Sequence, residues 1–190
     1  MSQDLLKVKF SNGNSKMGNI LSVSLPPIVT CKNCSSCAKK CYAAKLCRIY
    51  PSVKNAYQNN LDVLNANRDL YFEQIRVNAS MVRFFRYHVS GDIVDIDYLD
   101  KMCKVARSCK NTTFLAFTKN YDDINRYFEN HRKPQNLKLI FSLPFDGAII
   151  DNPHNLPTAR VILKGCEPQK KDKICGGNCS ECASCGIGCW

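Results

Sequence analysis

Cysteine residues recur with one spacing near both ends of this 190-residue chain. The segment CKNCSSCAKKC spans residues 31–41, and CSECASCGIGC repeats its spacing at residues 179–189. Loop backbone between the cysteines lets four thiolates turn toward one inorganic centre. The candidate metal ligands are Cys31, Cys34, Cys37 and Cys41 in the first run and Cys179, Cys182, Cys185 and Cys189 in the second.

The spacing C-x2-C-x2-C-x3-C is the ligand spacing of bacterial ferredoxins, where three cysteines hold one [4Fe–4S] cluster and the fourth reaches another. Proline follows the fourth cysteine in ferredoxins, whereas Tyr42 and Trp190 follow here, so the likeness is to the ligand spacing alone. We predict two [4Fe–4S] clusters, each with local ligands or with an exchanged fourth ligand. One cluster with a structural metal at the other run stays open, as does zinc, which also takes four cysteines.

Five further cysteines bring the total to thirteen, a number that a reducing compartment explains by metal better than by disulfides. Cys166 and Cys175 precede the second run, and Cys47 follows the first, so each is a possible replacement ligand. Cys103 falls on the apolar face of a predicted helix, where a buried free thiol is the expected state. Cys109 has no predicted role.

The composition predicts one folded domain, since 45% of the residues are hydrophobic and 23% are charged. The first ten residues lack the features of a secretory signal, and no apolar stretch approaches the roughly 20 residues that span a bilayer. We therefore expect a cytoplasmic protein without a membrane partner. We expect residues 1–165 to form the domain, with the cysteine loop 31–41 inside it and residues 166–190 packed on it as a tail.

Strand and helix patterns alternate along the chain, which predicts an α/β fold with a parallel sheet. We expect a partial or distorted β/α (TIM-like) barrel, followed by a cysteine-rich tail that only a bound metal orders. The predicted strands lie within 19–27, 83–93, 112–119, 137–145 and 159–165. Helical periodicity marks 51–64, 69–78, 97–109 and 121–131, whereas the cysteine run 31–41 and the tail read as loops.

Polar residues gather at the predicted carboxyl ends of three successive strands, where α/β proteins place their ligand sites. A two-residue period places Arg86, His88, Ser90 and Asp92 on one strand face, and an edge strand with a wet face is the alternative. We predict catalytic roles for Asp92, Lys119 and His88. Lys119 would bind an anion, and Asp92 would accept a proton or an amine. The predicted cofactor-binding residues are Ser90, Thr118 and Ser142.

A cysteine loop after the first strand resembles radical S-adenosylmethionine enzymes, but their C-x3-C-x2-C spacing is absent because position 44 is Ala44. The segments CAKKCYA, VSGDI, FTK and GIGCW, in this order, resemble the phage gene product 88 family. That resemblance implies a phage-type iron–sulfur protein with a barrel-like core, working in the host cytoplasm if phage-encoded.

The predicted function is redox chemistry, with electrons passing between two clusters or on to a redox partner or a small-molecule substrate. Whether the protein is an enzyme stays open, as an iron–sulfur oxidoreductase or a radical enzyme. S-adenosylmethionine is a possible but not favoured cofactor. A formal charge of +11 supports the other alternative, a nucleic-acid-binding protein with structural zinc.

Overall fold

The protein contains a six-stranded sheet in the computed structural model, which describes residues 6–144, 148–162, 167–168, 170, 172–185 and 189–190. The strands stand side by side in chain order, and β1 runs antiparallel to β2 while β2 to β6 are parallel. They are β1 (Phe10–Ser11), β2 (Leu21–Val23), β3 (Phe84–Tyr87), β4 (Thr113–Thr118), β5 (Leu137–Ser142) and β6 (Thr158–Ala159).

Helices occupy the connections from β2 to β3, β3 to β4 and β4 to β5, and a further helix follows β6. They are α1 (Ser35–Ala38), α2 (Tyr42–Ile49), α3 (Pro51–Ala66), α4 (Arg68–Ala79), α5 (Ile96–Ser108), α6 (Tyr121–Asn130) and α7 (Cys179–Cys185). Side-chain caps fix two of the starts: the Asn67 oxygen accepts from the Leu70 amide at 2.9 Å, and Asp95 accepts from Tyr98 at 2.8 Å. Pro51 suits the first position of α3 because its missing N–H has no helical partner there.

The main hydrophobic core lies between one face of the sheet and helices α3 to α6. Alternate strand residues such as Phe85 and Phe114 point into it and meet Ile75, Leu99 and Ile124 from the helices. Right-handed crossovers between sequential parallel strands place their helices on the same face, as observed. The α/β class and the mostly parallel sheet are therefore confirmed.

The opposite face of the sheet receives the chain's last helix. A second, smaller cluster joins Met17 and Ile20 to Ala183 of α7, and Phe84 of β3 packs edge-on to Trp190 with ring centroids 5.2 Å apart. The Cys179 amide donates to the Lys16 carbonyl at 2.9 Å. Helix α7 and Trp190 thus pack on the face that α3 to α6 leave free.

Three sequence predictions differ from the structure. The first cysteine run contains α1 and leads into α2, and the tail contains α7, where we expected loops. The last predicted strand, 159–165, is reduced to Thr158–Ala159, and its residues 163–165 lie outside the described chain. The described strands form an open sheet with β1 and β6 at its edges. No helix in the described ranges has the length and apolar character to cross a membrane.

Candidate functional site

A pocket of about 360 Å³ opens at the carboxyl ends of β3, β4 and β5. This is the edge at which the sequence predicted a site, and the loop 31–41 closes one side of it. Its walls include all four cysteines of the first run together with His88, Ser90, Asp92, Thr118, Lys119 and Ser142. The fold therefore brings together every non-cysteine residue predicted for the site, although their chemical roles stay predictions.

The cysteine loop is tied to the sheet edge by polar contacts. Thr30 Oγ1 donates to the Pro26 carbonyl at 2.6 Å, and Asn33 Nδ2 donates to the Lys119 carbonyl at 2.8 Å. Lys32 pairs with Asp123 of α6 at 2.5 Å. These contacts anchor the turn that presents Cys31 and Cys34 to the pocket.

Gly91 lets the strand end approach this loop. Its φ of +84° lies in the left-handed region that favours glycine. A Cβ at position 91 would lie 2.7 Å from both Leu25 Cβ and Thr30 Oγ1. The SGD segment, residues 90–92, therefore has glycine at its centre for both conformational and steric reasons.

Burial raises the pKa of two thiols of the first group, Cys31 and Cys37. Desolvation raises the pKa of Cys31 to about 12, and the neighbouring Asp92, Cys34 and Cys41 add to the increase. Burial also raises the pKa of Cys37, while the Lys119 charge opposes that increase. A bound metal centre would lower these pKa values, because its positive charge stabilises thiolates.

The second group of thiols gathers around α7. Burial raises the pKa of Cys179 and of Cys189, and the nearby Cys175 and Cys182 raise both further. Cys175, predicted as a replacement ligand, therefore lies with three members of the second run, whereas Cys185 is exposed. The predicted Cys166 lies outside the described residues.

The remaining cysteines separate into one neighbour of the site and two core thiols. Cys47 of α2 has its pKa raised by burial and then by Cys41, so it lies close to the first group. Cys103 is fully buried on α5, and Cys109, which follows that helix, is also buried in the main core. All cysteines in the described ranges are free thiols.

The donor set suits a sulfur-ligated centre, with four free thiols on one pocket wall and a second group around α7. Among the described residues, no three histidine, cysteine, aspartate or glutamate side chains are already gathered as a metal-holding group. Side chains of the first run would therefore have to turn inward on loading. The short helix α1 and the loop on each side of it supply the backbone for that change.

Arg86 of β3 lies between the two groups of cysteines. It lines the pocket that holds the first group, and its Nη1 donates to Cys179 Sγ of the second group at 3.7 Å. Its guanidinium carbon lies 5.2 Å from the ring centroid of Phe117 on the neighbouring strand. The sequence pattern placed Arg86 on one strand face with Ser90 and Asp92. It did not predict a position between the two cysteine groups, which depends on where α7 packs.

Asp92 and Lys119 join the ends of β3 and β4. The Asp92 carboxylate accepts from the amides of Ile93 at 2.7 Å and Lys119 at 2.8 Å. Burial raises the pKa of Asp92 to about 6, although its hydrogen bonds with Thr118, Lys119 and Ile93 and the Lys119 charge oppose the increase. Each carboxylate oxygen therefore already accepts one backbone amide, and the catalytic role of Asp92 stays a prediction.

The Lys119 ammonium is held by oxygens at the end of β5. It donates to Ser142 Oγ at 2.7 Å, to the Ser142 carbonyl at 2.8 Å and to the Leu143 carbonyl at 3.0 Å. An ammonium has three hydrogens, so all three are engaged. Lys119 therefore brings a positive charge to the pocket, and Ser142 serves it as an acceptor.

His88 does not share the direction of Arg86 that the two-residue period predicted. β3 ends at Tyr87, and His88 Nε2 instead lies 2.8 Å from the hydroxyl of Tyr98 in the main core. Burial, followed by the Arg86 charge, lowers the pKa of His88 to about 3. The imidazole is therefore neutral at physiological pH.

Similarity to known proteins covers most of the chain. The family model for Gene product 88 matches residues 3–185. The Gene 88 protein of Mycobacterium phage D29 is 26% identical over 165 residues, which cover 79% of this chain and 64% of that protein. The chain thus spans less than two thirds of the length of this relative. No solved structure matches the present chain.

Proposed function

The chain belongs to the gene product 88 family, and for this member we propose an iron–sulfur protein with a redox role. One [4Fe–4S] cluster would use Cys31, Cys34, Cys37 and Cys41. The second would draw its ligands from the group around α7, with Cys175 able to replace the exposed Cys185. Such clusters supply one-electron transfer when they are bound.

The observation that carries the proposal is the wall of four free thiols in one pocket at the carboxyl ends of the parallel strands. The same pocket holds Arg86 and Lys119, whose positive charges favour thiolates over thiols. Arg86 also reaches Cys179, so the two groups flank one side chain although over a hundred residues separate them in sequence. Neighbouring groups suit electron exchange between two clusters.

We interpret the open sheet as part of a β/α barrel, because its parallel strands follow chain order and α3 to α6 cover one face. In that interpretation α7 takes the interior side of the sheet. The second cluster would then order the tail by supplying folding free energy.

Metal analysis of anaerobically purified full-length protein tests the proposal directly. We expect about eight iron and eight sulfide per chain, and an electron paramagnetic resonance signal that dithionite changes. Replacing Cys37 by Ala should remove the iron of the first site, and replacing Cys182 by Ala should remove that of the second. The C37A variant should keep the second signal, since the groups lie on different elements.

Cys103→Ala is the matched control for these variants. It also deletes a thiol, but Cys103 lies in the main core on α5, so iron and sulfide should be unchanged. A folded, colourless protein without iron would refute the proposal. Bound zinc without sulfide would select the structural-zinc alternative.

A radical enzyme is the second candidate, because the pocket has a volume of about 360 Å³ and extends beyond the cysteines to the strand ends. It would need an iron left without a protein ligand, at which S-adenosylmethionine binds. Incubation of the reduced protein with S-adenosylmethionine should then release 5′-deoxyadenosine. Absence of that product from a fully loaded, reduced sample would rule this candidate out.

A further inference from the structure

Three side chains of the pocket wall carry a buried polar atom that has no hydrogen-bond partner within the described chain. They are Nε of Arg86, Nδ1 of His88 and Oγ of Ser90. His88 is 4% exposed and Ser90 is 3% exposed. An unsatisfied buried polar group costs about 1–3 kcal/mol, so three around one pocket indicate a missing partner.

A buried chain of hydrogen bonds from Tyr71 through Tyr98 to His88 indicates which ring nitrogen of His88 carries the proton. Tyr71 and Tyr98 are 3.1 Å apart at their hydroxyls, and Tyr98 is 2.8 Å from His88 Nε2. If Tyr71 donates to Tyr98 and Tyr98 donates to Nε2, the neutral ring carries its proton on Nδ1. The reverse order would leave the Tyr71 hydrogen in the core without an acceptor among the described residues.

All three atoms can then donate: Arg86 Nε–H, His88 Nδ1–H and Ser90 Oγ–H. The charges of the wall have the matching sign, since its described residues include Lys40, Arg86, Lys119 and Arg160, the last of them paired with Asp172, and Asp92 as the one carboxylate. Both oxygens of Asp92 accept backbone amides. The unmet need of the pocket is therefore for an acceptor with negative charge.

We propose that this pocket binds a small oxyanion, a carboxylate or phosphate group, and that the buried donors of Arg86, Ser90 and His88 turn toward it on binding. The pocket volume of about 360 Å³ is at the small end of the range for ligand pockets, since that range begins at about 300 Å³. The site stands on these three donors and does not require a cluster, although the anion would lie beside the first cysteine group. In a redox protein it would place an anionic substrate next to the cysteine ligands.

Calorimetric titration of the anaerobically purified full chain with inorganic phosphate, and separately with acetate, tests this site at constant ionic strength. We expect at least one of the two anions to bind. Ser90→Ala removes one donor to a charged group and should weaken that binding about tenfold. Arg86→Lys keeps the charge but removes Nε, and should have an effect of similar size.

Arg48→Gln is the control, because it removes a positive charge from the exposed face of α2, outside the pocket. The Arg48→Gln variant should bind the anion as tightly as the unchanged protein does. Thermal unfolding shows whether each variant is folded. If Arg86→Lys is not folded, the binding measured for Ser90→Ala decides the test. Phosphate binding alone identifies a phosphate-bearing ligand, and acetate binding alone identifies a carboxylate.

Iron is measured on the same samples, so the two proposals are tested separately. Anion binding that depends on Ser90 in an iron-free protein supports this site and refutes the clusters. An iron-loaded protein that binds neither anion at millimolar concentration overturns the anion site and leaves the clusters standing. Binding that is unchanged in both Ser90→Ala and Arg86→Lys also overturns it.

Discussion

Burial of single side chains decides which groups at the strand ends are ionised at neutral pH. Desolvation raises the pKa of Asp92 to about 6 and lowers that of His88 to about 3, so one carboxylate and one neutral imidazole lie near each other. Asp92 remains ionised at neutral pH because two backbone amides and Lys119 stabilise its charge. His88 has a neutral hydroxyl as its partner and loses its charge altogether.

The buried His88 should make the stability of the protein depend on pH. Its pKa is 6.5 in the unfolded chain and about 3 in the fold, so the unfolded state takes up the proton first. The contribution of His88 to stability is complete above pH 6.5 and falls as pH decreases toward 3, by about 1.4 kcal/mol per pH unit, whereas Asp92, whose pKa is raised to about 6 in the fold, acts in the opposite direction below that pH. His88→Gln should reduce the loss between pH 7 and pH 5 by about 2 kcal/mol, measured by urea unfolding.

Glutamine keeps a polar group within reach of Tyr98 and does not titrate, which separates loss of the proton site from loss of the hydrogen bond. His131→Gln is the control, because it removes an exposed imidazole at the end of α6, outside the main core. Parallel profiles for His88→Gln and the unchanged protein would show that His88 is not the group responsible.

At the scale of elements, a glycine controls how the last helix meets the sheet. Gly18 has a φ of +64°, and a Cβ there would lie 2.1 Å from Ser180 Oγ and 2.8 Å from Ser180 Cβ. Gly18→Ala should push α7 away from Met17 and Ile20. We expect faster limited proteolysis of the tail and loss of iron from the second cysteine group, with the first group retained.

Gly177→Ala is the matched control for this change. Its φ of +78° gives the same backbone strain, about 1–3 kcal/mol, but no atom lies within 4 Å of a Cβ at that position. The variant should therefore keep α7 in place. Adding Ser180→Gly to Gly18→Ala removes the opposing atoms and should restore protection of the tail. Equal proteolysis of the two alanine variants would mean that the contact with Ser180 is unimportant.

The elements also show what the sequence could predict. Strands β3, β4 and β5 were predicted because apolar and β-branched residues fill them, and parallel strands bring their carboxyl ends to one edge. That rule alone placed Asp92, Lys119 and Ser142 together. Sequence patterns did not reveal α2 or α7, since α7 contains three cysteines that were interpreted as ligands in a loop, and α2 directly follows the first cysteine run.

Positions that depend on contacts distant in sequence were beyond pattern analysis. His88 was assigned to the Arg86 face by a two-residue period that stops at Tyr87, where the strand ends. The position of Arg86 between the two cysteine groups depends on α7 packing against Met17 and Phe84. A single strand sequence contains no information about which helix will cover its free face.

At the scale of the whole molecule, sequential parallel strands give the sheet two unlike faces. Helices α3 to α6 cover one face with a large apolar core, and the other receives only the smaller cluster around α7 among the described residues. The loop 31–41 reaches the carboxyl edge of the sheet, and the tail reaches its free face. This arrangement brings both cysteine groups to Arg86.

The net charge of the protein should change when both cysteine groups bind metal. The sequence has a formal charge of +11 with neutral thiols, and two [4Fe–4S] sites with four thiolates each would lower it to about +7. We expect the loaded protein to focus at a lower pH than the same chain stripped by a chelator, in anaerobic isoelectric focusing under reducing conditions. The C37A variant should shift by about half as much, and C103A should match the unchanged protein. If the loaded and stripped forms focus together while the protein binds DNA or RNA in a salt-sensitive way, the thiols are not metal ligands and the nucleic-acid alternative takes precedence.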